Sequence, residues 1–368
     1  MGIHTRTTPT RRAIGRPAYL RQQRRQTQGI FLAGLTILLV LALVGCSEVT
    51  ATATPNLTPT PTLAPTPTTA PVPAVSFGDG SMPMPDAEKL ARLSQLLSGV
   101  PAQYTLALHL DLAALLDNPD VQEAIKLDSL GIMAALPPGT SNLLDGLVLA
   151  SRDDGEGLIV IMDGTLDIES LFQVAQAFGI SLGGPNSETY RDHQVWDIDI
   201  LGQKLAIGGV DGSTSVSSTG SSANGASAVD LVRGALDSFD GIEPGLLEDL
   251  NVAQLVNRLP SGIVMALFLS CAEMEDISPI SSLEACAGAA ASVEFLNADS
   301  FAVNILVGFG IEGEASTAAA LVEADGLSVG SLVPQDMAAR AEGPLFVVRF
   351  LIDAADVAQV IDTLIGLE

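Results

Sequence analysis

Leu93-Ser94-Gln95-Leu96-Leu97-Ser98-Gly99-Val100-Pro101 returns 159 positions later, without a gap, as Val252-Ala253-Gln254-Leu255-Val256-Asn257-Arg258-Leu259-Pro260. The match runs on into Ala107-Leu108-His109-Leu110 and Ala266-Leu267-Phe268-Leu269 at the same offset. In both places apolar residues at helical spacing lead to a proline, which ends the helix, and the apolar run beyond it suits a buried strand. Each half of the folded region therefore opens with the same helix, break and strand.

The following segments correspond in kind. Leu147 to Ser151 and Leu158 to Met162 read as strands about a charged turn at Asp153-Asp154-Gly155-Glu156-Gly157, followed by a helix from Asp167 to Phe178. In the second half Ala290 to Leu296 and Phe301 to Phe309 pair across Asn297-Ala298-Asp299, and Glu314 to Ala324 is the matching helix. The first half adds strands at Thr189 to Ile200 and Lys204 to Gly208, a Gly/Ser run from Gly212 to Ser227 that reads as a flexible loop, and a helix at Val229 to Leu236. Strand Leu345 to Leu351 and helix Ala354 to Ile365 close the second. Tight turns between strands with single helices inserted imply an α+β fold: two tandem copies of a mostly antiparallel sheet with helices packed on one face. The copies, 85–245 and 246–368, can join edges into one larger sheet, which would also hide exposed strand edges.

The order of units resembles that of the DUF3352 group of uncharacterised bacterial exported proteins. The resemblance rests on Val100-Pro101-Ala102 entering a strand, on the passage from Met162-Asp163-Gly164 to Leu171, and on Glu188-Thr189-Tyr190-Arg191 before Val195. It spans most of Val100 to Leu367, implies the same α+β unit, and brings no catalytic residue with it.

Upstream, residues 1–46 have the form of a lipoprotein signal peptide. Seven arginines and no acid precede the apolar run Gly29 to Gly45, which ends in the lipobox Leu43-Val44-Gly45-Cys46. Cleavage before Cys46 would leave that cysteine as the acylated N-terminus. The alternative is an uncleaved segment, since 17 residues sit at the short limit of a membrane span. Either way the arginines keep their end in the cytoplasm, so the remainder faces outward and is tethered to a membrane. Residues 47–84 form a Thr/Pro-rich linker, in which the stretch Val49 to Val75 cannot build helix or sheet and reaches on the order of 80 Å.

The exported part carries all 43 acids against ten basic residues, a formal charge of −33. Such a surface repels nucleic acid and argues against it as a partner. Two cysteines remain, Cys271 and Cys286, which read as one disulfide in an oxidising compartment or as two separate buried thiols.

Groups for chemistry are few. His109 alternates with Leu108 and Leu110, and its counterpart at the repeat offset is Phe268, which argues for a packing position. His193 lies in the polar turn Tyr190-Arg191-Asp192-His193-Gln194. No phosphate-cradling loop occurs, and a hydrolase triad would have to recruit one of those two histidines. Asp163, Asp167 and Glu169 cluster at a strand-to-helix passage and Asp197 and Asp199 share a strand face, patterns that could hold Ca²⁺ or serve a glycosidase. Their spacing does not match a calcium loop, and with Trp196 the sole tryptophan, sugar-stacking surface is scarce. Neither a cofactor nor a catalytic or metal-ligating set is therefore expected. The runs Ile263 to Leu269, Phe301 to Phe309 and Phe346 to Ile352 are apolar on both faces, as burial between layers requires or as a cavity for a lipid or other hydrophobic ligand would. The sequence reads as a lipid-anchored extracytoplasmic protein that acts by binding or by structural interaction within the cell envelope. The alternatives are a hydrophobic-ligand carrier and a calcium-dependent or hydrolytic enzyme.

Overall fold

The computed structural model describes residues 82–125, 144–152, 157–165, 186–200, 203–219, 227–269, 277–278, 286–329 and 334–357. The signal, the linker up to residue 81, Cys46, Cys271 and the helix expected at Asp167 to Phe178 lie outside them.

Helix α1 (Ala87–Ser98) starts where the Asp86 side chain accepts from the backbone N–H of Glu88 and Lys89, and it buries Leu93, Leu96 and Leu97. Strand β1 (Leu106–Asp111) runs into two short helices, α2 (Leu112–Asp117) and α3 (Pro119–Ile125). Then come β2 (Gly146–Ser151), β3 (Leu158–Asp163), β4 (Asn186–Tyr190), β5 (His193–Ile200), β6 (Gln203–Gly209), β7 (Thr214–Thr219) and α4 (Ala228–Phe239). The second half holds α5 (Leu250–Arg258), β8 (Val264–Phe268), β9 (Ile277–Ser278), β10 (Cys286–Asn297), β11 (Ser300–Phe309), α6 (Glu312–Asp325), β12 (Ser328–Val329), β13 (Gln335–Glu342) and β14 (Leu345–Asp353).

Twelve of these strands form one sheet, in the order β13-β14-β11-β10-β8-β1-β2-β3-β7-β6-β5-β4, and every pairing in it is antiparallel. The α+β class and the antiparallel sheet are as expected. Two sheets side by side are not what forms, because β1 and β8, the first strand of each half, pair with each other from Leu106–Phe268 to Leu110–Val264. Their union leaves no edge at the middle of the molecule.

Alternate residues feed two cores. On one face Leu93, Leu96 and Leu97 of α1, Val232 and Leu236 of α4, and Leu255 and Val256 of α5 pack on Ala107, Val148, Ile161, Leu267 and Leu306. On the other, Leu112 and Leu115 of α2, Val121 of α3, and Ala315, Ala318 and Val322 of α6 pack on Leu108, Val160, Val303, Ile305, Phe346, Val348, Phe350 and Ile352. Helices therefore cover both faces of the sheet rather than one. The strands' apolar runs require this, since a strand buried on both sides needs a layer on each.

Two local expectations change. Thr189 to Ile200 is a hairpin rather than one strand: β4 and β5 turn at Arg191-Asp192, where Arg191 has φ 53°, with Tyr190 opposite His193. The expected loop from Gly212 to Ser227 contains β7, an interior strand between β3 and β6 with Thr214, Ser215, Val216, Ser217 and Ser218 buried. Its small side chains let α4 approach closely; a Cβ on neighbouring Gly208 would lie 2.7 Å from Val232. Asp211 starts the strand by accepting from the backbone N–H groups of Ser213 and Thr214, both at 2.7 Å. Of the last expected helix, Ala354–Asp356 is a 3₁₀ turn, and residues beyond 357 are outside the described set.

Candidate functional site

Three aspartates mark one end of the first-half strands: Asp111 ends β1, Asp145 precedes β2 and Asp163 ends β3. Register makes them neighbours, since Gly146 pairs with both Asp111 and Asp163. Helix α1 lies across them with two cations one turn apart. Lys89 Nζ reaches Asp111 Oδ2 at 2.9 Å, Arg92 reaches Asp145 Oδ2 at 2.6 Å, and the Arg92 guanidinium also bonds the buried Asp163. That last hydrogen bond is the chief cause of the raised Arg92 pKa; burial opposes it and Asp145 adds to it.

Between α1 and the start of β8 is a cleft of about 410 Å³, lined by Asp86, Glu88, Lys89, Arg92, His109, Asp111, Asp145, Ser261 and Met265 among others. Ser261 Oγ accepts from the Asp86 backbone N–H at 3.1 Å and ties the two walls together. Gly262, also in the lining, admits no larger residue, because a Cβ there would lie 2.4 Å from the Val293 carbonyl oxygen.

His109 belongs to this cleft, which changes its reading. Along β1, Ala107 enters the α1/α5 core and Leu108 the opposite one, so His109 shares the face of Ala107. Phe268, its counterpart at the repeat offset, enters the other core. A one-residue slip between proline and strand separates the two halves, and such a slip turns every side chain to the opposite face. The equivalence with Phe268 therefore does not make His109 a packing residue. Its Nδ1 is buried and has no hydrogen-bond partner among the described residues. Burial lowers the imidazole pKa to about 4, although Asp111 pulls the other way, so the ring is uncharged at neutral pH.

His193 is placed elsewhere, at the β4–β5 turn. Its Nδ1 is 3.0 Å from the Gly209 carbonyl oxygen and its Nε2 is 3.1 Å from both Asp240 oxygens. Beside it Tyr190 donates to Asp237 at 2.8 Å, and the guanidinium groups of Arg191 and Arg233 lie 5.4 and 5.2 Å from the Tyr190 ring centre. These contacts fasten α4 to the hairpin.

The carboxylates that could have formed a catalytic or calcium set are not brought together. Asp197 and Asp199 are on β5, separated from Asp163 on β3 by β7 and β6, so they are three strand spacings apart, about 14 Å. Asp199 pairs instead with Lys204 at 3.3 Å. Asp167 and Glu169 lie outside the described residues. Among the described residues no three His, Cys, Asp or Glu side chains are grouped to hold a metal. Cys286, at the start of β10, is disulfide-bonded.

Lys89, Arg92, Asp111 and Asp145 belong to no motif in the sequence. The signal available there is the i, i+3 spacing of Lys89 and Arg92 on the helix that precedes an aspartate-terminated strand.

No protein-family model matches the chain, and no curated protein does. Solved structures similar to it include crystal form I of TP0453, at TM-score 0.44 and 10% identity, and crystal form III, at TM-score 0.41 and 11% identity. Each match covers 73% of this chain and 98% of the other. A likeness this loose carries nothing about function.

Proposed function

We propose that this is a lipid-anchored extracytoplasmic protein that works by binding, without catalysing a reaction, and that the cleft beside His109 is where it binds. The observation that carries the reading is the cleft of about 410 Å³ itself, lined by His109 and by the charged groups Lys89, Arg92, Asp111 and Asp145. The lipobox at Cys46 and the Thr/Pro stalk support a site held outside the membrane on a long tether.

Two further readings belong to this proposal. The halves are tandem copies of one unit, supported by the matching burial of Leu93, Leu96 and Leu97 in α1 and of Val252, Leu255 and Val256 in α5. Cys286 pairs with Cys271. The hydrophobic-carrier alternative is not favoured by the packing, because the apolar runs it invoked are filled from both faces by helix side chains.

Native mass spectrometry of the full chain extracted in mild detergent, beside its denatured mass, tests the binding reading. Mass released on denaturation supports it, and a bare polypeptide under both conditions contradicts it. A Cys46→Ser variant should lose acyl labelling and membrane retention. Retention with unchanged mass would overturn the anchor.

A further inference from the structure

The sheet ends, on the side of the first half, in an exposed strand. β4 follows β5 at the end of the strand order, and its residues Asn186 to Thr189 are exposed. Side chains of α4 fasten this hairpin to the body of the fold. Arg233 bonds Glu188, Asp237 takes Tyr190 and Arg191, and Asp240 takes His193. The turn needs such support, because Arg191 holds a left-handed backbone that a side chain of its size rarely adopts. Asp237 and Asp240 stand at the C-terminal end of α4, where the helix dipole disfavours negative charge, and the last turn of that helix has no basic residue of its own. The cations that offset them come from the hairpin, as Arg191 and His193.

His193 differs from the other fasteners because its donors depend on protonation. Its side chain is 11% exposed, and both ring nitrogens face oxygen. Nδ1 is 3.0 Å from the Gly209 carbonyl at the end of β6, and Nε2 is 3.1 Å from each oxygen of the Asp240 carboxylate. Neither acceptor has a hydrogen to give while that carboxyl is ionised. A neutral imidazole carries one N–H and so sets a lone pair against one of the two acceptors, whereas the imidazolium donates to both. The charged groups around it are otherwise engaged or acidic. Arg191 is committed to Asp237, and Asp211, two residues past Gly209, accepts from Ser213 and Thr214. Lys204 is at the far end of β6 and bonds Asp199, and the exposed Asp192 and Glu243 are acids.

We propose that His193 makes the fastening of the edge hairpin depend on pH. The protonated ring closes a clamp across β5, β6 and α4, and loss of the proton opens one side of it. The clamp is present on the acid side of the range in which histidines change charge, about pH 5 to 8, and is lost as pH rises through it. His109 acts in the opposite sense: burial disfavours its charged ring, so acid weakens the fold as a whole. Loosening of the hairpin on the alkaline side therefore cannot come from His109.

Amide hydrogen exchange of the full chain in mild detergent, compared at about pH 5.5 and about pH 8 and corrected for the intrinsic rise of exchange with pH, tests the clamp. Amides of 186–195 are expected to lose protection roughly tenfold at the higher pH, while those of β1 and β2 do not. In His193→Gln the difference should vanish, and in Asp240→Asn, whose amide can also donate to a neutral ring, it should shrink. Equal protection of the unaltered hairpin at both pH values overturns the proposal, as does the same pH dependence in His193→Gln. The imidazole ¹⁵N shifts give a reading without substitution, since the chain has three histidines, His4, His109 and His193. His193 should carry hydrogen on both nitrogens at the lower pH and on one at the higher. A ring already neutral at the lower pH, or still doubly protonated at the higher, also overturns the switch.

Discussion

The two halves of the sheet treat the same architectural position in opposite ways. On the face under α1 and α5, β1 continues from Ala107 to His109 and Asp111, and the space above is a polar cleft. On β8 that face carries Leu267, buried against the helices, with Leu269 packed beside it. The second half uses its charges away from such an opening. Arg258 and Arg340 both bond Glu342, and Arg349 bonds Glu294 at 2.8 Å. Burial alone would raise the Glu342 pKa, but those guanidinium groups outweigh it and hold the carboxyl below its usual range. One half has closed its core, and the other has left a hydrogen-bonding group unsatisfied beside an excess of acid. Stability explains the first arrangement and does not explain the second.

Breaking the closed half should have the largest effect. Leu267→Ala removes a side chain buried in the core on the α1/α5 face and should cost about 2–5 kcal/mol, read by chemical denaturation. An effect under about 1 kcal/mol would show that this end is loosely packed after all.

Acid should act on the open half. The folded His109 imidazole sits at about 4 and an unfolded histidine at about 6.5. Between those values the unfolded chain takes up a proton that the folded one refuses. This contribution to stability is complete above about pH 6.5 and is lost as pH falls toward 4, by about 3 kcal/mol in all. His109→Leu should remove that part of the slope. If both proteins lose stability in parallel, the histidine is not the group responsible.

The ion pairs over the cleft should matter less. Arg92→Met leaves the buried Asp163 without its partner, but Arg92 is 43% exposed, so solvent screening reduces the cost to about 1–2 kcal/mol. Lys89→Ala removes a pair whose lysine is 53% exposed and should cost under about 1 kcal/mol. Reversal of that order would mean that Asp111, not Asp163, is the carboxylate that needs neutralising.

How much of this is legible in the sequence follows from what each pattern encodes. Helix–proline–strand units and strongly apolar strands announce the antiparallel α+β fold, since burial and chain breaks are local properties. The joining of β1 to β8 is open to sequence only as one way of hiding edges. β7 is hidden because a run of serines lacks the apolar alternation that marks a strand, although its burial comes from neighbours on both sides. His109 resists reading for a geometric reason. A gapless alignment preserves sequence offset, but the face of a strand changes with every residue of slip. The cleft's remaining groups, Lys89, Arg92, Asp111 and Asp145, become neighbours only when strand ends and helix meet, and no local pattern states that.

The most direct test of the contrast is the stability of His109→Leu at pH 7, measured by denaturant unfolding beside the unaltered chain. Leucine is what the second half places on this face. If His109 is held for binding, the variant will be as stable as the parent or more so, because an unsatisfied buried nitrogen has been replaced by an apolar side chain. A loss of about 2 kcal/mol or more, on the scale of a disrupted buried network, would contradict the account and make His109 a structural residue.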